Sequence, residues 1–319
     1  MKPLSLGAAM LLLVVGNQIA VFSDVVVKLA NNQEAVYQFV FYRQLSALLL
    51  LLPCLLWIPR YRGPLGLRWH LLRSHIWLAG AGLMIYVLNN LPLATANAIF
   101  YSAPLMMLPL GIWINREKLS LSAWLAALIG FIGVLVIVKP TELNPAALAA
   151  LGVALTLALN NLLIPRIPTK QNVVIVLLLT NLMGLPSTAA LSFAEGHSWD
   201  WQLFINASLS TVCILIYAGS CVLAYRSAES NKIAGAEYTG LLGAIVVGVL
   251  AFGESLDASL LLGALCIIAP LLWLANRKQD KTPAKEALCN ELSNEELNET
   301  SSPPEYPANT HQAATREDP

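Results

Sequence analysis

The feature that most constrains this chain is a series of long apolar stretches separated by short polar segments. A helix of about 20 apolar residues crosses the roughly 30 Å hydrocarbon core of a bilayer, because each residue adds about 1.5 Å. Hydrophobic residues make up 57% of the sequence and charged residues only 12%, far from the balance of a soluble domain. We therefore predict an all-α membrane protein.

One stretch, Ile76–Ile114, is too long for a single span, since a straight helix of that length would reach roughly 60 Å. Pro92 lies near its middle and lacks the amide hydrogen that a helix interior needs, so we predict a hairpin of two spans that breaks there. With this division the sequence predicts ten transmembrane helices. The other eight stretches are Leu4–Val27, Val36–Ile58, Leu119–Val138, Ala146–Ile167, Val173–Phe193, Leu203–Tyr225, Ile233–Phe252 and Leu256–Ala275.

Two segments of the chain are loosely alike, which predicts an internal repeat. Asn89–Leu119 aligns with Ser227–Leu256 when Glu117 is placed on Glu254, an offset of 254 − 117 = 137 residues. Both segments carry small residues at four-residue spacing, a pattern that lets helices approach closely in lipid. These residues are Ala94, Ala98 and Ser102 in the first segment, and Ala236, Gly240, Ala244 and Gly248 in the second.

Basic residues flank the predicted spans unevenly, which predicts the orientation of the chain. Cytoplasmic loops are enriched in Lys and Arg, and thirteen such residues fall on the side of the N-terminus, against Lys28 and Lys139 on the other side. Both termini are therefore predicted to be cytoplasmic. The thirteen are Lys2, Arg60, Arg62, Arg68, Arg73, Arg116, Lys118, Arg166, Lys170, Arg226, Lys232, Arg277 and Lys278.

The predicted repeats are five-helix units covering residues 1–140 and 141–276. Because five is an odd number, the two units must insert in opposite directions, an arrangement found in many secondary transporters. The polar composition of residues 277–319 predicts a disordered cytoplasmic tail.

Ionisable residues inside the spans cost roughly 2.5–3.5 kcal/mol each at a helix centre, so each one needs a reason. Asp24 and Arg43 are predicted about 7 and 10 Å from the outer ends of the first two spans, within reach of each other. Arg43 is then either a fork for a substrate carboxylate or phosphate, with Asp24 as its partner in the empty site, or half of a permanent ion pair. Lys28, one turn from Asp24, competes as a partner of that carboxylate.

Glu237 is predicted just inside the ninth span, where it has two interpretations. It is a proton-coupling gate, because protonation removes the cost of burying a charge, or it reaches back to Lys232 or Arg226 at the membrane interface. Glu117 and Glu254 each precede the last helix of a repeat and are expected to stabilise a helix N-terminus.

Further polar and aromatic residues are predicted either to line a cavity between the repeats or to pack at helix contacts. In the repeat register Asp24 aligns with Asn161 and Arg43 with Thr180, so we expect an asymmetric cavity with its charges in the first repeat. The candidate lining residues are Tyr86, Asn90, Tyr101, Asn161 and Tyr238.

Several short motifs make the chain resemble the drug/metabolite transporter superfamily, in particular its bacterial EamA-type ten-helix members. The resemblance implies two inverted five-helix repeats, a location in the bacterial inner membrane, and transport of small metabolites, amino acids or drugs by alternating access, with export as the expected direction. The motifs are Tyr42-Arg43-Gln44-Leu45-Ser46-Ala47, Leu91-Pro92-Leu93-Ala94-Thr95-Ala96-Asn97-Ala98-Ile99, Pro104, Arg116-Glu117-Lys118-Leu119 and Gly253-Glu254-Ser255-Leu256.

Two other classes of function compete with transport. One is a membrane sensor or scaffold that works through its cytoplasmic tail. The other is an intramembrane enzyme, which the sequence disfavours because the histidines are expected in loops, near span ends or in the tail, with no nucleophile–base pair or metal cluster in the spans. We expect a small-molecule substrate and the lipid bilayer as partners, with a homodimer as an alternative to a monomer, and no cofactor, metal or nucleic acid. The four histidines are His70, His75, His197 and His311.

Overall fold

The structure is a computed structural model in which every regular element among the described residues is a helix. The described residues are 4–30, 34–115, 121–138, 144–227, 236, 239–270 and 273. The α-helices in chain order are α1 (Leu6–Ala30), α2 (Val36–Cys54), α3 (Leu67–Asn90), α4 (Leu93–Phe100), α5 (Ala103–Asn115), α6 (Leu121–Val138), α7 (Pro145–Leu163), α8 (Val173–Glu195), α9 (Trp201–Ser227), α10 (Thr239–Phe252) and α11 (Ala258–Pro270). Single 3-10 turns extend α2 over Leu55–Trp57 and α7 over Ile164–Arg166.

Seven of these elements are long and apolar enough to cross a membrane: α1, α2, α3, α4 together with α5, α7, α8 and α9. A helix suits this environment because it satisfies its own backbone hydrogen bonds where no water can do so. α6, α10 and α11 are apolar but shorter, and each adjoins residues outside the described ranges. The predicted all-α architecture is confirmed for the described residues, with seven segments that are long and apolar enough to be membrane spans, and the total of ten stays a prediction.

The predicted break at Pro92 is confirmed. α3 ends and α4 begins on either side of it, and Pro92 itself is extended, with φ −54° and ψ 143°. A second break separates α4 from α5 at a turn formed by Tyr101 and Ser102. Pro104 explains this break, because it has no amide hydrogen to offer the carbonyl of Phe100. The span made of α4 and α5 is therefore discontinuous.

α3 begins at Leu67, earlier than the predicted start at Ile76. Two predictions change as a result. Arg73, counted above among the basic residues that flank the spans, lies inside α3 with 9% of its surface exposed, and His70, expected near a span end, is fully buried in the same helix. Polar residues in this part of α3 lower its hydropathy, which is why the sequence placed the start of the span too late.

Helices from the two predicted repeats alternate in the packing. α1 lies along α9, α2 along α8 and α3 along α7, while α4 contacts α10. The small-residue stripes are buried as predicted, and a Cβ on Gly248 would lie 3.4 Å from the Cβ of Ala94. α6 crosses α11 where Gly133 meets Gly263, since a Cβ on either glycine would lie 2.6 Å from the other's carbonyl oxygen. Close backbone contact of this kind holds helices together in lipid.

Candidate functional site

A central cavity lies where helices of both predicted repeats meet. Its walls come from α1, α2, α3, the α4–α5 span, α7 and α9, and its volume is about 130 Å³, enough for several water molecules or a small solute. A side cavity of about 60 Å³ adjoins it. The two share Arg43, Arg73, Trp77, Asn160, Ile214 and Ala218 in their walls.

The structure brings four of the predicted site residues together. Asp24, Arg43, Tyr101 and Asn161 all line the central cavity, each from a different helix or from the α4–α5 turn. Thr180, the repeat counterpart of Arg43, lines the side cavity. The expected asymmetry of the cavity is present at these positions, because Asp24 and Arg43 are charged where their predicted counterparts, Asn161 and Thr180, carry an amide and a hydroxyl.

Two of the predicted residues lie elsewhere. Tyr86 is 43% exposed and Asn90 is also exposed, and neither lines the cavity. The side-chain nitrogen of Asn90 donates to the carbonyl of Tyr86 at 2.7 Å, one turn back along α3. The part of α3 that lines the cavity extends only from Arg73 to Met84. The prediction that Tyr86 and Asn90 line the cavity is therefore wrong. Glu237 and Tyr238 lie outside the described residues.

Arg43 is the largest fully buried side chain within the described ranges, with 2% of its surface exposed. Its Cζ lies 5.3 Å from the centroid of the Trp77 ring, a distance typical of a cation–π contact. Its Nε, Nη1 and Nη2 atoms have no hydrogen-bond partner in the part of the chain that the structure describes. Burying a charged donor without an acceptor is costly, so this guanidinium marks a place that fits an anion.

The predicted Asp24–Arg43 ion pair is not formed. Both side chains are buried on the same cavity and interact electrostatically, yet no nitrogen–oxygen distance between these two described residues is 4.0 Å or less. Asp24 lies beside Asn97 of α4, and Arg43 packs on Trp77. Both interpretations of Arg43 included this pair, so both the fork held by Asp24 and the permanent pair between α1 and α2 lose that contact.

Lys28, the expected competitor for Asp24, pairs instead with Glu254, with Nζ 3.6 Å from Oε1. Its ammonium also donates to two carbonyls at the end of α3, at 3.3 and 2.7 Å. Glu254 in turn accepts from the first two amides of α4, so a cation meets the negative end of one helix and an anion the positive end of the next. The carbonyls are those of Leu88 and Leu91, and the amides those of Leu93 and Ala94.

Glu254 thus stabilises a helix N-terminus as expected, but the helix is α4 of the first repeat and not α11, which follows it in sequence. Tertiary packing brings α4 closer to this carboxylate than α11, because α10 lies against α4. Glu117, its repeat counterpart, lies outside the described residues.

A second polar network joins three junctions at the opposite end of the bundle. His70 of α3 contacts Thr180 Oγ1 through Nδ1 at 3.0 Å and Gln171 Oε1 through Nε2 at 3.1 Å. Gln171 donates from Nε2 to the carbonyl of Leu65 at 2.7 Å, and its own carbonyl accepts from Arg226 Nη1 at 2.6 Å. The loop before α3, the loop before α8 and the end of α9 are therefore tied together.

Sequence reasoning missed two contributors to the cavity, Arg73 and Trp77. They lie one turn apart on α3, and this spacing places both on one helix face, a signal that was available once α3 was known to begin at Leu67. Among the described residues no group of three His, Cys, Asp or Glu side chains is placed to hold a metal ion.

The known proteins that this chain resembles are named as transporters. Residues 7–139 match the EamA-like transporter family, and this match ends next to the predicted boundary between the repeats. The S-adenosylmethionine uptake transporter of Rickettsia conorii is 24% identical over 79% of this chain and 87% of its own length. The riboflavin transporter of Vibrio cholerae is 26% identical over 67% of this chain and 73% of its own length.

A crystal structure of a protein with 15% sequence identity has the same fold. It covers 85% of this chain and 98% of its own, with a TM-score of 0.60.

Proposed function

We propose that this chain, whose residues 7–139 match the EamA-like transporter family, is a secondary transporter that moves a small organic solute by alternating access. The observation that carries the proposal is the central cavity, which holds a fully buried guanidinium, that of Arg43, with no hydrogen-bond partner among the described residues. A polar pocket between two repeats is the usual place for a transported solute. The names of the family and of the relatives support the same function.

The packing supports a ten-helix architecture with two inverted five-helix repeats, 1–140 and 141–276. In the predicted repeats α1 corresponds to α7, α2 to α8, α3 to α9 and α4 to α10. The α1–α9 contact then has the α3–α7 contact as its symmetry mate, and α2–α8 and α4–α10 are contacts between corresponding helices. The pairs Asp24 with Asn161 and Arg43 with Thr180, related by 137 residues, also line the joined cavities. The uneven distribution of basic residues supports cytoplasmic termini in a bacterial inner membrane.

For the bound solute we propose an amphoteric or anionic metabolite. Arg43 binds its carboxylate or phosphate as a fork, Asp24 accepts from a donor group, and Tyr101 and Asn161 supply further hydrogen bonds or packing. Of the substrates named for the relatives, S-adenosylmethionine is amphoteric and carries a carboxylate that suits Arg43, whereas riboflavin has a flat ring that suits Trp77 but no anionic group. Testing both separates the contribution of the charge from that of the ring. Glu237 and Tyr238 stay predicted contributors to proton coupling and binding.

The cavity must expand to take solutes of that size. Pockets for drug-sized ligands have volumes of roughly 300–1,000 Å³, whereas the central cavity has about 130 Å³. An alternating-access cycle supplies the expansion, because the repeats move against each other around the site. The same cycle runs in either direction according to the solute gradients, so the expected export and the uptake named for the Rickettsia protein share one mechanism.

The test is a flux assay on the full chain reconstituted in liposomes. Protein-dependent, saturable movement of labelled S-adenosylmethionine, riboflavin or an organic acid is expected, with loss in Arg43→Gln. Absence of flux for a broad panel of metabolites argues against transport. A variant that ends at Lys278 keeps its flux if the protein is a carrier, whereas loss of flux favours the sensor or scaffold that acts through the tail.

A further inference from the structure

The charges around the joined cavities do not balance. Among the described residues that line them, Asp24 supplies the one carboxylate, while Arg43 and Arg73 supply two guanidinium groups. All three side chains are at least nine-tenths buried, with exposures of 4%, 2% and 9%. An ionised Asp24 therefore compensates at most one of the two positive charges, and the walls retain a net positive charge.

Arg73 and Arg43 reach the same wall from different helices. Arg73 lies one turn before Trp77 on α3, and Arg43 extends from α2 over the Trp77 ring. Both arginines line the central cavity and the side cavity, so both belong to the wall that the two cavities share. Burying each guanidinium costs free energy, and an anion held at this wall lowers that cost.

Unsatisfied donors mark the position of the missing anion. Arg43 has three nitrogen atoms and Arg73 has its Nε without a hydrogen-bond partner within the described part of the chain. The other polar side chains that line the side cavity are neutral: the amides of Gln44, Asn160 and Asn181 and the hydroxyls of Ser74, Thr180 and Thr211. None of them supplies the negative charge that two guanidinium groups require.

We infer that Arg43 and Arg73 together bind the oxyanion group of a transported solute whose net charge is negative. A carboxylate or a phosphate fits, because a guanidinium presents its donors as a planar fork that matches either group. Trp77 supplies a flat surface against which the rest of the solute packs. A zwitterion such as a simple amino acid leaves one guanidinium charge uncompensated beside an ionised Asp24, so organic acids with a net negative charge and phosphate esters are the favoured classes.

This inference rests on the proposed transport function only in calling the bound anion a transported solute. Binding of the anion itself is measured without flux. The experiment measures the thermal unfolding midpoint of the purified full chain in neutral detergent at matched ionic strength. Sodium succinate and inorganic phosphate are the probes, and choline chloride is the control salt. We expect at least one oxyanion to raise the midpoint by about 3 °C or more at saturation and choline chloride to leave it unchanged. A rise confined to succinate assigns a carboxylate, and a rise confined to phosphate assigns a phosphate.

The variants locate the effect. Arg73→Gln loses the oxyanion-dependent rise, and Arg62→Gln, the same change at an exposed arginine in the loop before α3, keeps it in full. If Arg73→Gln does not yield folded protein, Arg73→Met removes the charge and keeps the apolar stem, and the same criterion applies. Three outcomes overturn the inference. The midpoint of the Arg73 variant rises with the oxyanion as much as that of the wild type, the midpoint rises equally with choline chloride, or it does not rise with either oxyanion.

Flux measurements separate this outcome from the proposed function. Oxyanion binding without flux of any solute keeps the site and rejects the carrier. Flux of neutral or cationic solutes without oxyanion binding keeps the carrier and rejects the site.

Discussion

Two groups of buried charge in this bundle are handled in opposite ways. Lys28 and Glu254 pair at 3.6 Å and also meet the carbonyls that end α3 and the amides that begin α4. Arg43 is more deeply buried than either, yet its guanidinium has no hydrogen-bond partner among the described residues. The fold explains Lys28 and Glu254, because each charge has an ion-pair partner and hydrogen bonds to the backbone. A buried guanidinium without a hydrogen-bond partner among the described residues calls for an acceptor that these residues do not supply, which is why we propose a solute there.

The largest expected effect comes from neutralising Arg43, which tests whether its charge serves solute binding and not the stability of the fold. Arg43→Gln is expected to lower flux at limiting solute by about 100-fold, since loss of a charged, forked contact costs about 3 kcal/mol and each 1.4 kcal/mol is tenfold. Stability should stay equal or rise, because an uncompensated buried charge is removed. Flux per folded protein and the thermal unfolding midpoint measure the two effects. A large drop in the midpoint with unchanged flux per folded protein would place Arg43 with the structural charges.

The matching change at the structural pair should give the reverse pattern. Glu254→Gln is expected to lower the free energy of unfolding by about 2–3 kcal/mol, because charge-assisted hydrogen bonds become neutral ones and Lys28 loses its counter-ion. Flux per folded molecule should change by less than about threefold. Unfolding in detergent and liposome flux are the measurements. If Glu254→Gln instead abolishes flux in a protein of normal stability, this carboxylate belongs to the transport machinery.

The comparison also shows what sequence could and could not predict. The break at Pro92, the buried small-residue stripes and the placement of Asp24, Arg43, Tyr101 and Asn161 on one cavity were all accessible, because local chemistry and periodicity control them. The ion pair was predicted wrongly. Asp24 and Arg43 lie on neighbouring spans, and depth along each helix says nothing about which way a side chain turns.

The partners of Lys28 were beyond sequence reasoning for a different reason. Glu254 lies 254 − 28 = 226 residues away in the chain, so no local pattern connects the two. Arg73 was missed because polar neighbours on α3 resemble the flank of a span when hydropathy alone is read. In both cases tertiary packing decides which charges are buried together.

A third polar group, the His70 network, provides an intermediate case. It is made of mostly neutral hydrogen bonds. The Gln171 side chain accepts from His70 and donates to the carbonyl of Leu65, whereas Arg226 donates to the Gln171 backbone carbonyl, which a side-chain change leaves in place. Gln171→Ala should lower the free energy of unfolding by about 1–2 kcal/mol, less than Glu254→Gln, because neutral hydrogen bonds contribute less than charged ones. Lys170→Ala, a change at the exposed neighbouring residue, is the control and should be silent. Equal losses in the two variants would mean that the network adds nothing to stability.

The smallest effect is expected on the face of α3 that the cavity does not reach. Tyr86 is 43% exposed, and the hydrogen bond between it and Asn90 uses its backbone carbonyl, which a side-chain change leaves intact. Tyr86→Phe should therefore keep flux within about twofold and the unfolding midpoint within about 1 °C, as surface substitutions usually do. The same change at Tyr101, which lines the cavity beside Gly240, should lower flux more, by up to about tenfold for a lost hydrogen bond of about 1.4 kcal/mol. Equal losses of flux at Tyr86 and Tyr101 would mean that the solute pathway also includes the exposed face of α3.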